Sequence, residues 1–436
     1  MHFEVSPSRV GAATVTVPGD KSVSHRALML GSIANGQTTV SGFLAGEDCL
    51  ATLAAMRALG VEIKQPSDTQ MSISGVGLRG LRAPAAELDL GNSGTAMRLM
   101  AGLLSGQSFN SVLTGDASLN GRPMGRIIKP LTMMGAAIES SCNETPPLQI
   151  TGGLGLQGIN YPLPMASAQV KSALLLAGLY AKGDTVVTEP AVTRDHTERM
   201  LRSMGVTVES NNGVITLSGE QELEGCDVRV PADLSSAAFV MLAAILAESA
   251  NLLITNVGVN PTRTGVIDIL QEMGADISVE NPQLLGNEPV ADIRVRSSEL
   301  VGCAVDPALV SLAIDEFPVL FVAAAAASGE TTFSGIGELR VKESDRIAAM
   351  ASGLRALGIT VDESPDGAVV HGGRFSAGTV QSHGDHRIAM SLAIAGSIAS
   401  GPVRIDDVAA VNTSFPGFCA TMSEIGADVH EVGGEG

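Results

Sequence analysis

Six stretches of the chain carry apolar or small residues around the whole turn of a helix and then pass into a strand. They are HRALMLGSIANGQTTVSG, TAMRLMAGLLSGQSFNSVLTG, QVKSALLLAGLYAKGDTVVTE, SAAFVMLAAILAESANLLITN, FPVLFVAAAAASGETTFSG and RIAMSLAIAGSIASGPVRID. Ala and Gly at such positions let a helix be buried on all sides with close backbone contacts. Alternating with these is an amphipathic helix that stops at a glycine and continues as a strand: MRALGVEI, LTMMGAAI, LRSMGVTV, LQEMGADI, LRALGITV and MSEIGADV. The glycines are Gly60, Gly135, Gly205, Gly274, Gly358 and Gly426, each able to end a helix in the left-handed conformation. Helical spacing is plainest in Leu50, Leu53 and Met56 and in Val266, Leu270 and Met273. The predicted unit is buried helix, strand, loop, amphipathic helix, strand, with room for one more strand, and it occurs six times. Its period exceeds that of solenoid repeats, so each unit reads as a packed subdomain.

Composition fits this picture. The chain has 436 residues, enough for two or more domains, and 45% are hydrophobic. With no Trp and two Tyr, the core must be built from Ala, Val, Ile, Leu and Met. Acidic residues outnumber basic ones, 46 to 27, for a formal net charge of -19. That balance argues against nucleic acid, which needs a basic footprint, and there is no basic amphipathic stripe for a membrane surface. Most of the acidity reads as solvated surface. Cys49, Cys142, Cys226, Cys303 and Cys419 are an odd number without a CxxC, which favours free thiols in a reducing compartment. The opening MHFEVSPSRVG has no apolar signal core, and FVMLAAILA and VLFVAAAAA are too short to span a bilayer. The expectation is a soluble, cytoplasmic protein.

Charge is placed selectively at the helix starts. The first buried helix opens with Lys21, Ser22 and Arg26, and the second with Asn92, Ser93, Gly94, Thr95 and Arg98. The third opens with Ser167, Gln169 and Lys171, and the fourth with Asp233, Ser235 and Ser236. Asp315 and Glu316 precede the fifth, and Asp385, His386 and Arg387 the sixth. Loops before the amphipathic helices add Arg122, Arg194, Arg263, Lys342, Glu343 and Arg346, with AGEDCL and VNTSFPGF in the first and last repeats. A helix N-terminus exposes unpaired N–H groups and partial positive charge, and arginine adds a planar fork for phosphate or carboxylate. Several such ends facing one place would make an anion site within an acidic protein. Taken singly, Ser22, Asn92, Ser167 and Ser235 read equally as plain N-caps. Arg98 and Lys171 read as helix residues facing water.

Asp315, Glu343, Asp385 and His386 are the candidate acids and bases, because a carboxylate among cations stays ionised and can move a proton once enclosed with a substrate. An exposed Lys342–Glu343 ion pair on a helix is the alternative. Other motifs fail: GDKS lacks the glycines of a P-loop, HGDHR has no matching His/Cys cluster for a metal, and no G-x-S-x-G elbow occurs. Cys49 lies on an apolar helix face and reads as core.

PGDKSVSHRA, LGNSGTAMR, GRPMGRIIKPL, SAQVKSALLLAGL, LRVKESDRI and GDHRIAMS, in this order and spacing, resemble the 5-enolpyruvylshikimate-3-phosphate synthases of the enolpyruvyl transferase family over essentially the whole chain. The resemblance implies a two-domain α/β (α+β) fold. Each domain has three βαβαββ repeats around buried helices, an inside-out α/β barrel. It implies lobes of residues 21–231 and of 1–20 with 232–436, the first strand packing with the C-terminal lobe and the active site in the cleft between them. The implied reaction moves the enolpyruvyl group of phosphoenolpyruvate to the 5-hydroxyl of shikimate 3-phosphate and releases phosphate, with no metal or organic cofactor.

By the same resemblance Lys21, Ser22, Arg26, Ser167, Ala168, Gln169, Arg194, Asp315 and Lys342 contact shikimate 3-phosphate. Lys21, Gly94, Arg122, Gln169, Arg346 and Arg387 contact phosphoenolpyruvate. Asp315 is the expected base for the 5-hydroxyl and Glu343 the expected acid at the enol carbon, with Lys21 assisting. Asn92, Thr95 and His386 support them. This sequence departs from some members at Ala168 (a serine elsewhere), Thr413 (a lysine) and Glu338 (an asparagine). Gly94 goes with sensitivity to glyphosate in the family, so glyphosate is an expected inhibitor. A monomer is expected. The nearest rival, UDP-N-acetylglucosamine enolpyruvyl transferase, usually carries a cysteine where Ala117 stands, five residues before Arg122. A non-catalytic anion-binding repeat protein would explain the cations but not Asp315 and Glu343 together.

Overall fold

The structure is a computed structural model, which describes residues 1–433. Twelve main helices alternate in character along it. We number them α1 (Lys21–Ile33), α2 (Glu47–Ala58), α3 (Gly94–Ser105), α4 (Gly125–Met133), α5 (Ala168–Gly178), α6 (His196–Ser203), α7 (Leu234–Leu246), α8 (Gly265–Glu272), α9 (Phe317–Ala326), α10 (Arg346–Ala356), α11 (His386–Ser397) and α12 (Phe418–Glu424). Odd-numbered helices are the small-residue stretches. In α7 every residue from Leu234 to Ile245 is buried, and in α11 every residue from His386 to Ser397. Each fully buried Leu, Val or Ile there contributes about 1.5–3 kcal/mol relative to exposure. Even-numbered helices bury one face only, as Val266, Ile267, Ile269 and Leu270 do in α8.

The six glycines that close the even helices all adopt the left-handed conformation, with φ of 89° at Gly60, 99° at Gly135, 87° at Gly205, 101° at Gly274, 88° at Gly358 and 96° at Gly426. A side chain would strain each turn, so these glycines recur because the same cap is built six times.

Six small sheets share one plan. The strand that follows an odd helix pairs in parallel with an edge segment on one side and antiparallel with a strand on the other, and a last antiparallel strand completes the sheet. After α1, Asn35–Ser41 takes Asp227–Arg229 in parallel and Gln70–Val76 antiparallel, with Glu62–Ser67 beyond. After α11, Val403–Asp406 takes Gly378–Gln381 in parallel and His2–Ser6 antiparallel, and Asp428–Val432 closes the sheet. Ala12–Val15 supplies the parallel edge beside Asn251–Gly258. The expected mixed α/β class and its six repeats are therefore present.

Two compact units result. One comprises residues 19–230 with the hairpin tip 285–288; the other comprises 1–18, 231–284 and 289–436. Each has its own apolar core, built around α1, α3 and α5 in the first unit and around α7, α9 and α11 in the second. Among the described residues no helix is long and apolar enough to cross a membrane.

Candidate active site

In the first unit the starts of the three buried helices are tied to one another. Asp20 caps α1 by accepting from Val23 N (2.8 Å), Ser93 caps α3 (Ala96 N, 3.1 Å) and Ser167 caps α5 (Val170 N, 3.4 Å). Of the expected caps, only Ser167 fills that role; Asp20 and Ser93 take the places assigned to Ser22 and Asn92, and Asp233 takes that of Ser235 on α7. Ser22 is thereby left at the second position of α1, where its N–H has no acceptor inside the helix. His25 joins α1 to its neighbours: Nδ1 lies 2.8 Å from Thr52 Oγ1 and Nε2 3.3 Å from Ser93 Oγ. Burial first, then the charges of Lys21 and Arg26, hold its pKa well below the ordinary value. Gln169 joins α5 to α3, donating to Thr95 Oγ1 (2.9 Å) and accepting from Arg98 Nη1 (2.6 Å). Arg26 joins α1 to α5, donating to Ser172 Oγ (2.8 Å), Thr197 Oγ1 (2.8 Å) and the carbonyl of Ser22 (2.9 Å).

The cations stand around this rim. Lys21 Nζ pairs with Asp48 Oδ2 at 2.8 Å, a partner supplied by the first turn of α2 within the AGEDCL stretch. Arg122, 7% exposed, donates from Nη2 to Asn92 Oδ1 and to Ser118 Oγ. A methyl placed on Gly94 would lie 3.1 Å from Arg122 Nη1, so Gly94 and Arg122 are neighbours. Burial pulls the pKa of Arg26 down to about 10; Glu198 and Asp20 oppose that, while the nearby charge of Arg194 adds to it. Ala168, at the first position of α5, offers only backbone.

Lys171 does not face water. It is 1% exposed, and its Nζ lies 2.7 Å from Glu198 Oε1 and 3.1 Å from Glu189 Oε1. Arg98 is likewise half-buried and engaged with Gln169, not solvated. Both readings as surface residues are therefore overturned: on helices buried on all sides, even polar positions point into protein.

The second unit gathers the candidate acids around one guanidinium. Arg346, at the first position of α10, donates from Nε to Asp385 Oδ2 (2.8 Å), from Nη2 to Glu343 Oε2 (2.6 Å) and from Nη1 to Asp315 Oδ1 (3.4 Å). Burial works against its charge, but Asp385, Glu343 and Asp315 outweigh it and raise the pKa further. Lys342 Nζ lies 3.8 Å from Asp315 Oδ1 and 3.6 Å from Glu338 Oε1. The alternative of a Lys342–Glu343 pair on a helix fails, because Lys342 ends a 3-10 turn and Glu343 turns to Arg346. Asp385 is fully buried, caps α11 through Arg387 N (2.9 Å) and holds Arg346, so it is a structural partner here. Arg387 Nη1 donates to the Asp315 carbonyl (2.9 Å) and lies 3.8 Å from Glu316 Oε1. His386, at the first position of α11, is 5% exposed. Arg263 is bound to Asp233 (3.1 Å) and Ser235 (2.7 Å), a buried group of this unit's own.

Sequence reasoning overlooked the partners: Asp48 for Lys21, Ser172 and Thr197 for Arg26, and Glu189 and Glu198 for Lys171. The only signal for Asp48 was its place in the loop matching the cationic loops of other repeats. Each unit thus presents guanidinium and ammonium groups at or just before helix starts, and the second adds two partly exposed carboxylates beside them.

A sequence profile described as EPSP synthase (3-phosphoshikimate 1-carboxyvinyltransferase) matches residues 6–422. The chain belongs to the EPSP synthase family. A 3-phosphoshikimate 1-carboxyvinyltransferase of Alkalilimnicola ehrlichii is 57% identical over 100% of this chain and 98% of its own length. That of Methylococcus capsulatus is 56% identical over 98% of each. An EPSP synthase structure from Acinetobacter baumannii superposes with a TM-score of 0.88 at 52% identity, covering 98% of this chain and 99% of that one. The EPSP synthase resemblance read from the motifs is thereby established over the full chain.

Proposed function

We infer that the chain transfers the enolpyruvyl group of phosphoenolpyruvate to the 5-hydroxyl of shikimate 3-phosphate and releases phosphate. Membership of the EPSP synthase family supports this reaction. The observation that carries its chemistry is the Arg346 guanidinium seated between Asp315 and Glu343. An anion drawn to Arg346 arrives with a carboxyl group on either side, one as the carboxylate that takes a proton and the other, once protonated, as the acid that gives one.

The step balances as follows. Asp315 takes the proton of the 5-hydroxyl as its oxygen bonds to the central carbon of phosphoenolpyruvate, and Glu343 delivers a proton to the methylene carbon. Glu343, left as a carboxylate, takes a proton back from that carbon as phosphate leaves with the proton held by Asp315, which restores the double bond and both carboxyl groups. Lys342, beside Asp315, binds shikimate hydroxyls; Arg346 and Arg387 hold the donor's anionic groups. Because Arg346 already engages Glu343 through Nη2, the incoming anion exchanges with that carboxylate, which frees Glu343 to act as the acid.

In the first unit Ser22, Arg26, Ser167, Gln169 and Arg194, with the backbone of Ala168, receive shikimate 3-phosphate. Lys21, Gly94 and Arg122 receive phosphoenolpyruvate, with Gln169 between, and Asn92, Thr95 and His386 hold their neighbours. Ser167 Oγ accepts within its cap, which leaves its O–H to donate to a phosphate oxygen. Thr413 Oγ1 donates to the Ala410 carbonyl at 2.7 Å, so it does not replace the lysine of other members. Ala117, which opens a one-turn helix, carries no nucleophile for the UDP-sugar reaction.

Phosphate release with phosphoenolpyruvate and each acceptor tests the reading; turnover with neither shikimate 3-phosphate nor UDP-N-acetylglucosamine would favour a binding protein. Asp315→Ala and Glu343→Gln each reduce turnover by orders of magnitude with the fold intact, and near-normal rates in both remove them from the mechanism. Glyphosate is expected to compete with phosphoenolpyruvate, and light scattering is expected to give the mass of a monomer.

A further inference from the structure

Behind the proposed acceptor site of the first unit lies a polar group built with four charges, of which only Arg26 has been given a part above. Lys171 leaves the inner face of α5 one turn after the Ser167 cap. Its Nζ reaches Glu198 on α6 (2.7 Å), Glu189 (3.1 Å) and the carbonyl of Thr193 (3.4 Å). Glu189 opens the loop that carries Arg194, Thr193 is the residue before that arginine, and the Thr193 hydroxyl donates to Glu189. Beside Lys171, Ser172 Oγ accepts from Thr197 Oγ1 (2.8 Å) and from Arg26 Nη2 (2.8 Å).

Lys171, Glu189 and Glu198 side chains are 1%, 5% and 2% exposed. Removing charges this far from water is costly, and such a group persists only when its members are mutually paired. Here two cations, Lys171 and Arg26, balance two carboxylates, Glu189 and Glu198. Burial pushes the Glu189 carboxyl up, while Lys171 and the Thr193 hydroxyl pull it back.

We infer that Lys171 is a positioning residue for the acceptor phosphate: one ammonium fixes both the start of α5, which carries Ser167 and Gln169, and the 189–195 loop, which carries Arg194. This rests on the acceptor-site reading given above. Three contacts, to α6, to the head of the loop and to the residue before Arg194, define where that guanidinium stands relative to Ser167. No shorter or uncharged side chain on α5 could make all three, since two of the partners are carboxylates.

The test measures the affinity of the full chain for shikimate 3-phosphate by calorimetry, KM and kcat, and amide exchange of residues 189–195. Lys171→Met keeps the stem and strands both carboxylates. Lys171→Met with Glu189→Gln removes one stranded charge and regains melting temperature. Both variants are expected to bind shikimate 3-phosphate about 10- to 100-fold more weakly, the range usual when a group that orients ligating side chains is lost. KM for phosphoenolpyruvate changes less than about threefold, and the loop amides exchange faster in both.

If Lys171 only holds the fold together, affinity returns with melting temperature in the double variant, and that outcome overturns the inference. Unchanged affinity in Lys171→Met, or unchanged loop exchange in both variants, overturns it as well. A wild-type chain that neither binds nor turns over shikimate 3-phosphate refutes the acceptor assignment instead, and the exchange data then decide the clamp alone.

Discussion

Gly102 packs against the backbone of Ala173 on α5, and adding one methyl there tests how tightly α3 and α5 are held together. A Cβ at Gly102 would lie 2.1 Å from the carbonyl oxygen of Ala173, 2.8 Å from its carbon and 2.9 Å from its Cα. All three are backbone atoms, so no side chain can swing aside. Reaching ordinary contact requires the helices to part by roughly an ångström over a seam packed to interior density. Overpacking usually costs about 1–3 kcal/mol, and an unyielding backbone places Gly102→Ala at about 3 kcal/mol or more. For a unit of this size that lowers Tm by about 6–12 °C. The Gln169–Thr95 bond spans the same two helices, so KM for shikimate 3-phosphate rises in parallel. Calorimetry with Gly155→Ala as control measures this, because a Cβ at Gly155 meets nothing within 4 Å. A Gly102→Ala protein melting within about 2 °C of wild type would refute the close contact.

Three further outcomes follow from the site. In Gly94→Ala the new methyl lies 2.9 Å from Arg98 Nη1 and 3.1 Å from Arg122 Nη1, so Arg122 turns away from its anion. KM for phosphoenolpyruvate rises about tenfold, as for one lost charge-assisted hydrogen bond, and glyphosate inhibition weakens; unchanged constants in steady-state kinetics would count against it. His25 titrates below its ordinary 6.5 in the fold, so the unfolded chain takes up the proton first. Its contribution is present above pH 6.5 and is lost as pH falls below that value, by up to about 1.4 kcal/mol per unit. Urea unfolding from pH 5 to 8 should therefore be less steep in His25→Asn, and equal slopes would contradict a buried neutral imidazole. Arg346→Met strands the fully buried Asp385 and destabilises the protein by about 3–5 kcal/mol; a shift in urea midpoint worth under about 1 kcal/mol would mean Asp385 is held by other groups.

The repeat was legible because both of its signals are local: small residues through a helix, and a glycine where the next helix ends. The sheets were legible only in part. Asp227–Arg229 completes a sheet begun at Asn35, and His2–Ser6 sits between strands that begin at Val403 and Asp428, pairings that no local periodicity encodes. Helix starts were read two residues late in α1 and α7 and one early in α3, because neighbouring Asp, Asn and Ser residues compete for the same cap. Lys171 was misread for a different reason. A lysine in a helix usually snorkels to solvent, and only Glu189 and Glu198, brought in from other elements, make its burial tolerable.

The central place of His2–Ser6 in its sheet has a bearing on synthesis. Its partners, Val403–Asp406 and Asp428–Val432, leave the ribosome about 400 residues later, roughly 20–80 s at ordinary elongation rates. Throughout that interval a strand with Phe3 and Val5 on its inner face waits without its ladder while residues 19–230 can finish folding around their own core. Nascent-chain binding proteins would find their longest-lived target in those first residues, and an amino-terminal fusion partner would burden the last sheet to be assembled.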